Sequence, residues 1–282
     1  MLSITGAMLF YIQPTSLILT FHGMTESLNI FLVATLCYLL AQDNENKLLY
    51  GILVLSLLTV TKPIHQVQLA LLVLYFFICK IKLPALKRIG FICLALAPIW
   101  IQLLLTFINS GKPIISTISS YTFKNYFVAI VYSRINQTEW RDSMKAIETW
   151  DTKQQLNYLQ LHPREALSTY RSNLIDGDLW TGSIFTLGAG NRMAGLSQTL
   201  NAGWSFGNLL MIPIMLYYLF SSKYKDREYI ALLYAGIIVQ TFLTGISRGQ
   251  GDRLVITMIP MWIVTYGTVL YKIHPASLPK ST

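Results

Sequence analysis

Charged residues are scarce in this chain. Asp, Glu, Lys and Arg together make up 12% of its 282 residues, against roughly a quarter in ordinary soluble domains. Apolar residues account for 53%, and the mean hydropathy is +0.48. A soluble fold of this length could not bury so much apolar surface. We therefore expect an integral membrane protein and not a water-soluble globular domain.

Cysteine and the common catalytic motifs are also scarce or missing. The three cysteines, Cys37, Cys79 and Cys93, lie within apolar stretches, with no CxxC spacing and no nearby set of histidines. They are predicted to be small packing residues, so the sequence indicates neither a disulfide nor a metal site, and any use of a divalent metal stays open. No glycine-rich phosphate loop, HExxH or GxSxG is present.

The apolar residues fall into eight runs close to the length needed to cross about 30 Å of hydrocarbon. This pattern predicts an all-α fold, a polytopic transmembrane helical bundle of about eight crossings. Pro14 interrupts the first run. A cleaved signal peptide is the alternative there, but no cluster of Lys or Arg follows Met1. The runs are 2–20, 27–41, 48–61, 64–79, 89–108, 205–221, 229–246 and 254–271.

Basic residues predict the orientation of the bundle. With both termini in the cytoplasm, the inner segments hold ten of the 22 basic residues, whereas the short outer connections hold three, Lys62, Arg248 and Arg253. We expect a bacterial plasma membrane or endoplasmic reticulum protein with a cytoplasmic C-terminus. The net charge of +9 suits anionic membrane lipid as a partner, and no nucleic acid is predicted.

Three segments follow from this topology. Residues 1–108 form an N-terminal transmembrane bundle, 109–204 a large exterior or luminal loop with amphipathic helices, and 205–282 the C-terminal transmembrane helices with a short cytoplasmic tail.

Within the loop, apolar spacing predicts an amphipathic helix over 140–161, broken near Thr149 to Thr152. Pro163 is expected to begin another helix. The glycine-rich stretch 182–207 is predicted to be mobile, to be approached closely by a ligand, or to be a flexible connector.

Seven polar residues are predicted to share the exterior face with the large loop. Ionisable groups at membrane depth are costly and often mark substrate paths. Cations beside a carboxylate suit a phosphate-bearing ligand. The seven candidates are His22, Glu26, Lys62, His65, Arg248, Asp252 and Arg253.

Each candidate also has a structural interpretation. Glu26 follows Thr25, a good N-cap residue, and could simply complement the helix dipole. Lys62 could extend its ammonium to the membrane interface. The histidines could be structural residues, and residues 248–253 could form a solvated connector with a local ion pair.

Three short motifs resemble a known family. Pro14, the run from Thr25 to Leu28, Phe31, Gly51 and the run Thr61-Lys62-Pro63 resemble the P…TESLF…G…T(R/K)P pattern of the GT-C superfamily of membrane glycosyltransferases, which includes mannosyltransferases. The run Gly251 to Leu254, followed by Pro260, resembles the signature of their last exterior connection. His162 to Glu165 and Asn173-Leu174 resemble the exterior loop of bacterial members.

The resemblance implies transfer of a sugar from a polyprenyl- or dolichyl-phosphate carrier to an unidentified acceptor on the exterior face. Arg253, Arg248 or Lys62 would then stabilise the departing lipid phosphate. The lipid-linked sugar is the donor, and no cofactor is assigned. The acceptor hydroxyl still needs a general base.

One departure affects that base. Members of the family usually carry a catalytic carboxylate in the exterior loop after their first transmembrane helix, and the matching region is absent here. We therefore expect either an N-terminally truncated or incompletely predicted chain, or a divergent member that uses Glu26 or another exterior carboxylate.

Two other functional classes remain open. A lipid-linked-sugar flippase or another transporter would also have many helices, but no inverted repeat is visible, and a single large loop favours the enzyme. A noncatalytic subunit or a remnant of a glycosyltransferase would bind the lipid phosphate without transferring sugar.

Overall fold

The computed structural model describes residues 25–79, 84–115, 118–174, 191–221, 223–224, 226–246 and 256–273. Every regular element in these ranges is helical, and none is a strand. The predicted all-α class is confirmed. The predicted first apolar run, 2–20, lies outside the described residues.

The longer helices follow the apolar runs from residue 27 onward, and shorter ones fill the predicted loop. In chain order they are α1 (Thr25–Ala41), α2 (Lys47–Thr61), α3 (Gln66–Cys79), α4 (Ala85–Ala95), α5 (Ala97–Ser110), α6 (Ile118–Phe123), α7 (Ala129–Asn136), α8 (Trp140–Ala146), α9 (Thr152–Leu161), α10 (Pro163–Arg171), α11 (Asn191–Phe220), α12 (Arg227–Thr244) and α13 (Ile259–Ile273). Short 3₁₀ turns cover Pro63–His65 and Ile256–Met258, and a π-helical turn covers Lys124–Val128.

None of these described helices is by itself both long and apolar enough to cross a bilayer. The pair α4 and α5 meets the requirement when taken together, but the two are bent by 60° at their junction. The number of membrane crossings therefore stays a prediction.

The chain divides into two compact units. The first comprises Met1–Ile115, Gly203–Gln240 and Ile256–Thr282, and the second comprises Ser116–Ala202 and Thr241–Val255. Residues 116–202 fall inside the segment that the sequence predicts as the exterior loop.

In the first unit, α1 packs along α2, and α2 also contacts α3, α4 and α5. The C-terminal helix α13 and the turn before it pack on α1. Gly51 makes the close approach possible, because a Cβ there would lie 3.1 Å from the end carbons of both Leu40 and Leu72. Buried Ile52, Leu58 and Phe76 lie in the same core.

The second unit has its own core. Val128, Ala129 and Ile147 are fully buried beneath a layer of aromatic side chains. Among these, the Trp140 indole donates to the Asn125 carbonyl oxygen at 2.7 Å. Helix α9 begins with a capping box between Asp151 and Gln154.

Helix α10 packs against the end of α12 in this unit. The Tyr170 hydroxyl donates to the Phe242 carbonyl oxygen at 2.6 Å, and the Asn173 amide donates to the Gly245 carbonyl oxygen. A Cβ on Gly245 would lie 2.6 Å from the Tyr170 ring, so only glycine fits. Burial raises the pKa of Tyr170 above its usual value.

Two of the predictions for the loop are confirmed. The break near Thr149 to Thr152 is confirmed, since α8 ends at Ala146 and α9 begins at Thr152. The predicted start at Pro163 is confirmed as the first residue of α10. Residues 191–207 of the glycine-rich stretch are helical within α11, and its mobility or close approach by a ligand stays a prediction. Residues 182–190 lie outside the described ranges.

The run 89–108 is corrected. It is not one straight helix but two, α4 and α5, that join at Leu96. Pro98 occupies the first turn of α5, where its missing N–H is tolerated. If α4 and α5 were one continuous helix, Pro98 would lie in its interior, and its ring would clash with the carbonyl groups of the preceding turn. The proline therefore explains the 60° bend.

Candidate functional site

A group of polar side chains is buried in the first unit where α1 begins and α2 ends. We call Glu26, Asn29, Lys62, His65 and Gln68 the buried polar cluster. Glu26, Asn29 and His65 have no exposed surface, and Lys62 and Gln68 are 9% and 5% exposed. Burial of so many polar groups among apolar helices is costly unless they are paired, and it often marks a functional site.

An ion pair forms the charged half of this cluster. The Lys62 ammonium lies 3.0 Å from Glu26 Oε1, and both side chains are almost wholly buried. Each charge therefore serves as the counter-ion of the other. An anionic ligand that binds Lys62 has to compete with the Glu26 carboxylate.

The sequence Thr61-Lys62-Pro63 creates this geometry. A residue before proline is disfavoured in the helical region, and Lys62 is extended, with φ −141° and ψ 106°. Helix α2 therefore ends at Thr61, while the Lys62 N–H still donates to the Leu58 carbonyl oxygen at 2.7 Å. The ammonium can then reach Glu26 in the first turn of α1, where a carboxylate also complements the helix dipole.

A second contact fixes α1 to α2 beside the ion pair. Thr61 Oγ1 lies 3.0 Å from Asn29 Oδ1 and donates to that oxygen or to the Leu58 carbonyl oxygen. The hydroxyl and the amide are therefore held one turn away from the charges. This contact orders the first two turns of α1 against the end of α2.

A hydrogen-bonded chain forms the neutral half of the cluster. Gln68 Nε2 donates to the Gly236 carbonyl oxygen at 2.8 Å, which leaves Gln68 Oε1 to face His65 Nδ1 at 2.6 Å. An amide oxygen only accepts, so His65 Nδ1 carries a hydrogen and donates it. The other ring nitrogen, Nε2, then holds the lone pair in the neutral ring. It is buried and has no hydrogen-bond partner among the residues that the structure describes.

The structure brings together three of the seven predicted site residues, Glu26, Lys62 and His65. The Lys62 ammonium pairs with buried Glu26, and its extension to the membrane interface stays an alternative interpretation. The other four candidates, His22, Arg248, Asp252 and Arg253, lie outside the described residues, and their roles stay predictions.

Sequence reasoning missed Asn29 and Gln68. Both are uncharged polar residues within long apolar runs, and that is the signal that could have identified them. An amide in such a run needs a partner inside the protein, and each of these two is buried beside a predicted site residue.

A second polar group lies where α11 and α13 end and α12 begins. The Lys272 ammonium lies 2.7 Å from Asp226 Oδ2, and the Tyr218 hydroxyl donates to Asp226 Oδ1. Burial opposes ionisation of Asp226, but these two hydrogen bonds outweigh it and hold the pKa of the carboxyl below its usual value. Both Asp226 and Lys272 belong to segments that the sequence predicts to be cytoplasmic.

A cavity of about 520 Å³ also lies at that end, lined by Asp43, Lys47, Glu228 and Tyr229 among others. Helix α1 separates it from the buried polar cluster, since Leu40 borders the cavity and Glu26 lies fourteen residues earlier, about 20 Å along a helix. No group of three or more His, Cys, Asp or Glu side chains able to hold a metal ion occurs in the described part of the chain.

The fold and the buried polar cluster define an all-helical protein. At the ends of its apolar helices lie a buried ion pair and a histidine whose ring orientation is fixed by a hydrogen bond. Comparison with protein-family models, curated proteins and solved structures finds no match for the chain.

Proposed function

We propose that this chain is a polytopic membrane glycosyltransferase that moves a sugar from a polyprenyl-phosphate carrier to an acceptor at the exterior face. The observation that carries the proposal is the buried polar cluster, in which Glu26, Lys62 and His65 meet at one end of apolar helices. These are residues of the motifs, or their near neighbours, through which the sequence resembles the GT-C superfamily.

The distribution of side chains over the first unit supports a membrane location. Its helices bury polar residues while large apolar ones face outward, including Phe31, Tyr38 and Ile78, each more than 60% exposed. Apolar surface on this scale is unfavourable in water, whereas lipid tails solvate it. Internal pairing of polar groups is then required, because lipid offers them no hydrogen bonds.

The chemistry of the cluster suits a lipid phosphate. A lipid-linked donor enters from the bilayer, and its phosphate needs a cation near the headgroups. Lys62 is such a cation, and its position beside Glu26 holds the ammonium in place before the ligand arrives. Arg248 and Arg253 are proposed to add further positive charge, as expected from their predicted position on the same face.

The test is transfer of labelled sugar from a set of polyprenyl-phosphate sugars by the purified protein in liposomes. Wild-type protein is expected to transfer sugar from at least one donor. Arg253→Ala should lower turnover by at least tenfold, because it removes a phosphate contact, and the matched basic variant Lys280→Ala should not. Absence of transfer from every donor would refute the enzyme. Binding of lipid phosphate without transfer would favour a noncatalytic membrane subunit.

A further inference from the structure

The second nitrogen of His65, Nε2, makes no hydrogen bond to the described part of the chain. Its first nitrogen is held by Gln68, which in turn is held by a backbone oxygen of α12. A buried acceptor without a donor is destabilising. A group that supplies an O–H at Nε2 would recover that cost.

The tautomer of His65 is fixed by the Gln68 amide and the Gly236 carbonyl group, neither of which titrates. The Gly236 carbonyl oxygen can only accept, so it sets which end of the Gln68 amide faces the imidazole. The Nδ1 hydrogen of His65 therefore faces Gln68, and the lone pair of Nε2 lies on the side of the ring away from Gln68. A carboxylate or carbonyl that orients histidine in this way is a recurring feature of general bases.

Glu26 is the other potential base, but its position suits a different task. Its carboxylate neutralises Lys62 at 3.0 Å, and removing that negative charge by protonation would leave a buried ammonium without its counter-ion. His65 is neutral before it accepts a proton, so its use as the base leaves the ion pair between Glu26 and Lys62 intact. Lys62 and His65 share one turn, in which the His65 N–H donates to the Lys62 carbonyl oxygen.

We propose that His65 Nε2 is the proton acceptor of the transfer reaction, with Gln68 as its positioning residue, an inference that rests on the proposed glycosyltransferase function. The acceptor hydroxyl gives its proton to Nε2 as its oxygen bonds to the anomeric carbon. The bond between that carbon and the phosphate oxygen breaks, and its electron pair leaves with the lipid phosphate. The imidazolium then releases the proton when the products depart.

The burial of His65 has a consequence for specificity. The side chain has no exposed surface, so an acceptor reaches Nε2 only after surrounding residues move. Exclusion of water from the base disfavours hydrolysis of the donor relative to transfer to the acceptor.

The surroundings of His65 define how pH should act. The charged groups of the cluster are Glu26 from α1 and Lys62 from the end of α2. Uncharged groups come from the other elements: the Gln68 amide from α3 and the Gly236 carbonyl oxygen from α12. The 3₁₀ turn before α13 contributes the Met258 sulfur, which lies 3.8 Å from Gln68 Nε2. A carboxylate in place of the Gln68 amide would stabilise the imidazolium.

The experiment measures transfer in liposomes between pH 3 and 9 for wild type, His65→Gln, Gln68→Glu and the matched control His162→Gln. His65→Gln should lower kcat by about 10²- to 10⁴-fold, leave KM for the donor within about twofold and abolish the loss of rate at low pH. Gln68→Glu should move that acid limb to higher pH. His162→Gln, a change in the second unit, should resemble wild type.

The outcomes separate the two proposals. Failure of wild type to transfer sugar from any donor refutes the proposed function and this inference with it. Active wild type with near-normal kcat in His65→Gln refutes the inference alone. A uniform loss of rate in Gln68→Glu with an unmoved acid limb also refutes it, because a purely structural role predicts that pattern. Gln68→Glu remains informative even if His65→Gln does not fold.

Discussion

At the scale of single residues, the ion pair between Lys62 and Glu26 combines two roles that the sequence assigned separately. Glu26 was expected as a base and Lys62 as a phosphate cation, and the structure pairs them at 3.0 Å. The pair holds the ammonium in a fixed position, and its burial makes either partner costly to remove alone. The pairing therefore assigns the two residues to one electrostatic unit.

Variants of this pair should show strong energetic coupling. Glu26→Gln and Lys62→Met should each lower the free energy of unfolding by about 3–5 kcal/mol, because each leaves the opposite charge buried. The double variant should lose clearly less than the sum of the two. Chemical unfolding in detergent micelles measures all three.

The control is the exposed pair Asp142 and Lys145, 3.8 Å apart with side chains 65% and 78% exposed. Asp142→Asn and Lys145→Met should leave stability unchanged, because solvent screens such pairs. Strict additivity of the Glu26 and Lys62 variants would show that their ion pair does not stabilise the fold.

At the scale of helices, Gly51 sets how closely α2 approaches its neighbours. A Cβ at this position meets Leu40 and Leu72 at 3.1 Å and Leu36 at 3.4 Å. These contacts connect α1, α2 and α3, the helices that carry the buried polar cluster. Larger side chains at Gly51 would therefore disturb the site as well as the core.

Gly51→Val should lower the unfolding free energy by about 1–3 kcal/mol, because the added isopropyl group overpacks the core. Gly90→Val is the matched control, since Gly90 lies within α4 and nothing stands within 4 Å of the position of its Cβ. Thermal unfolding in micelles compares the two. Equal effects would mean that the approach of α2 to α1 and α3 does not depend on the glycine.

At the scale of the whole molecule, the predicted orientation makes a testable claim. Lys153 lies in the predicted exterior loop and Lys223 in a predicted cytoplasmic connection. With Cys37, Cys79 and Cys93 replaced by serine, Lys153→Cys in intact cells should react with a membrane-impermeant maleimide. Lys223→Cys should react only after permeabilisation.

The reverse labelling pattern would invert the predicted topology. Equal labelling of both positions in intact cells would place them on one side of the membrane and refute the predicted number of crossings between them. Mass spectrometry of the labelled peptides provides the measurement.

The sequence by itself determined the helical class, the limits of most long helices and the helix breaks within the segment predicted to be the exterior loop. These follow from local chemistry: apolar runs predict helices, and prolines such as Pro63 and Pro163 restrict the backbone wherever they occur. The same reasoning named Glu26, Lys62 and His65 among seven candidates, because ionisable residues are conspicuous in an apolar chain.

Only the tertiary structure decided how these residues are used. Glu26 and Lys62 are paired although they are 36 positions apart in the sequence. Gln68, which orients His65, is hydrogen-bonded to Gly236, 168 positions away. Neither contact follows from local spacing, because helix packing selects which faces meet. The sequence therefore identified three of the five residues of the buried polar cluster, and packing fixed the orientation of the His65 ring and the pairing of Glu26 with Lys62.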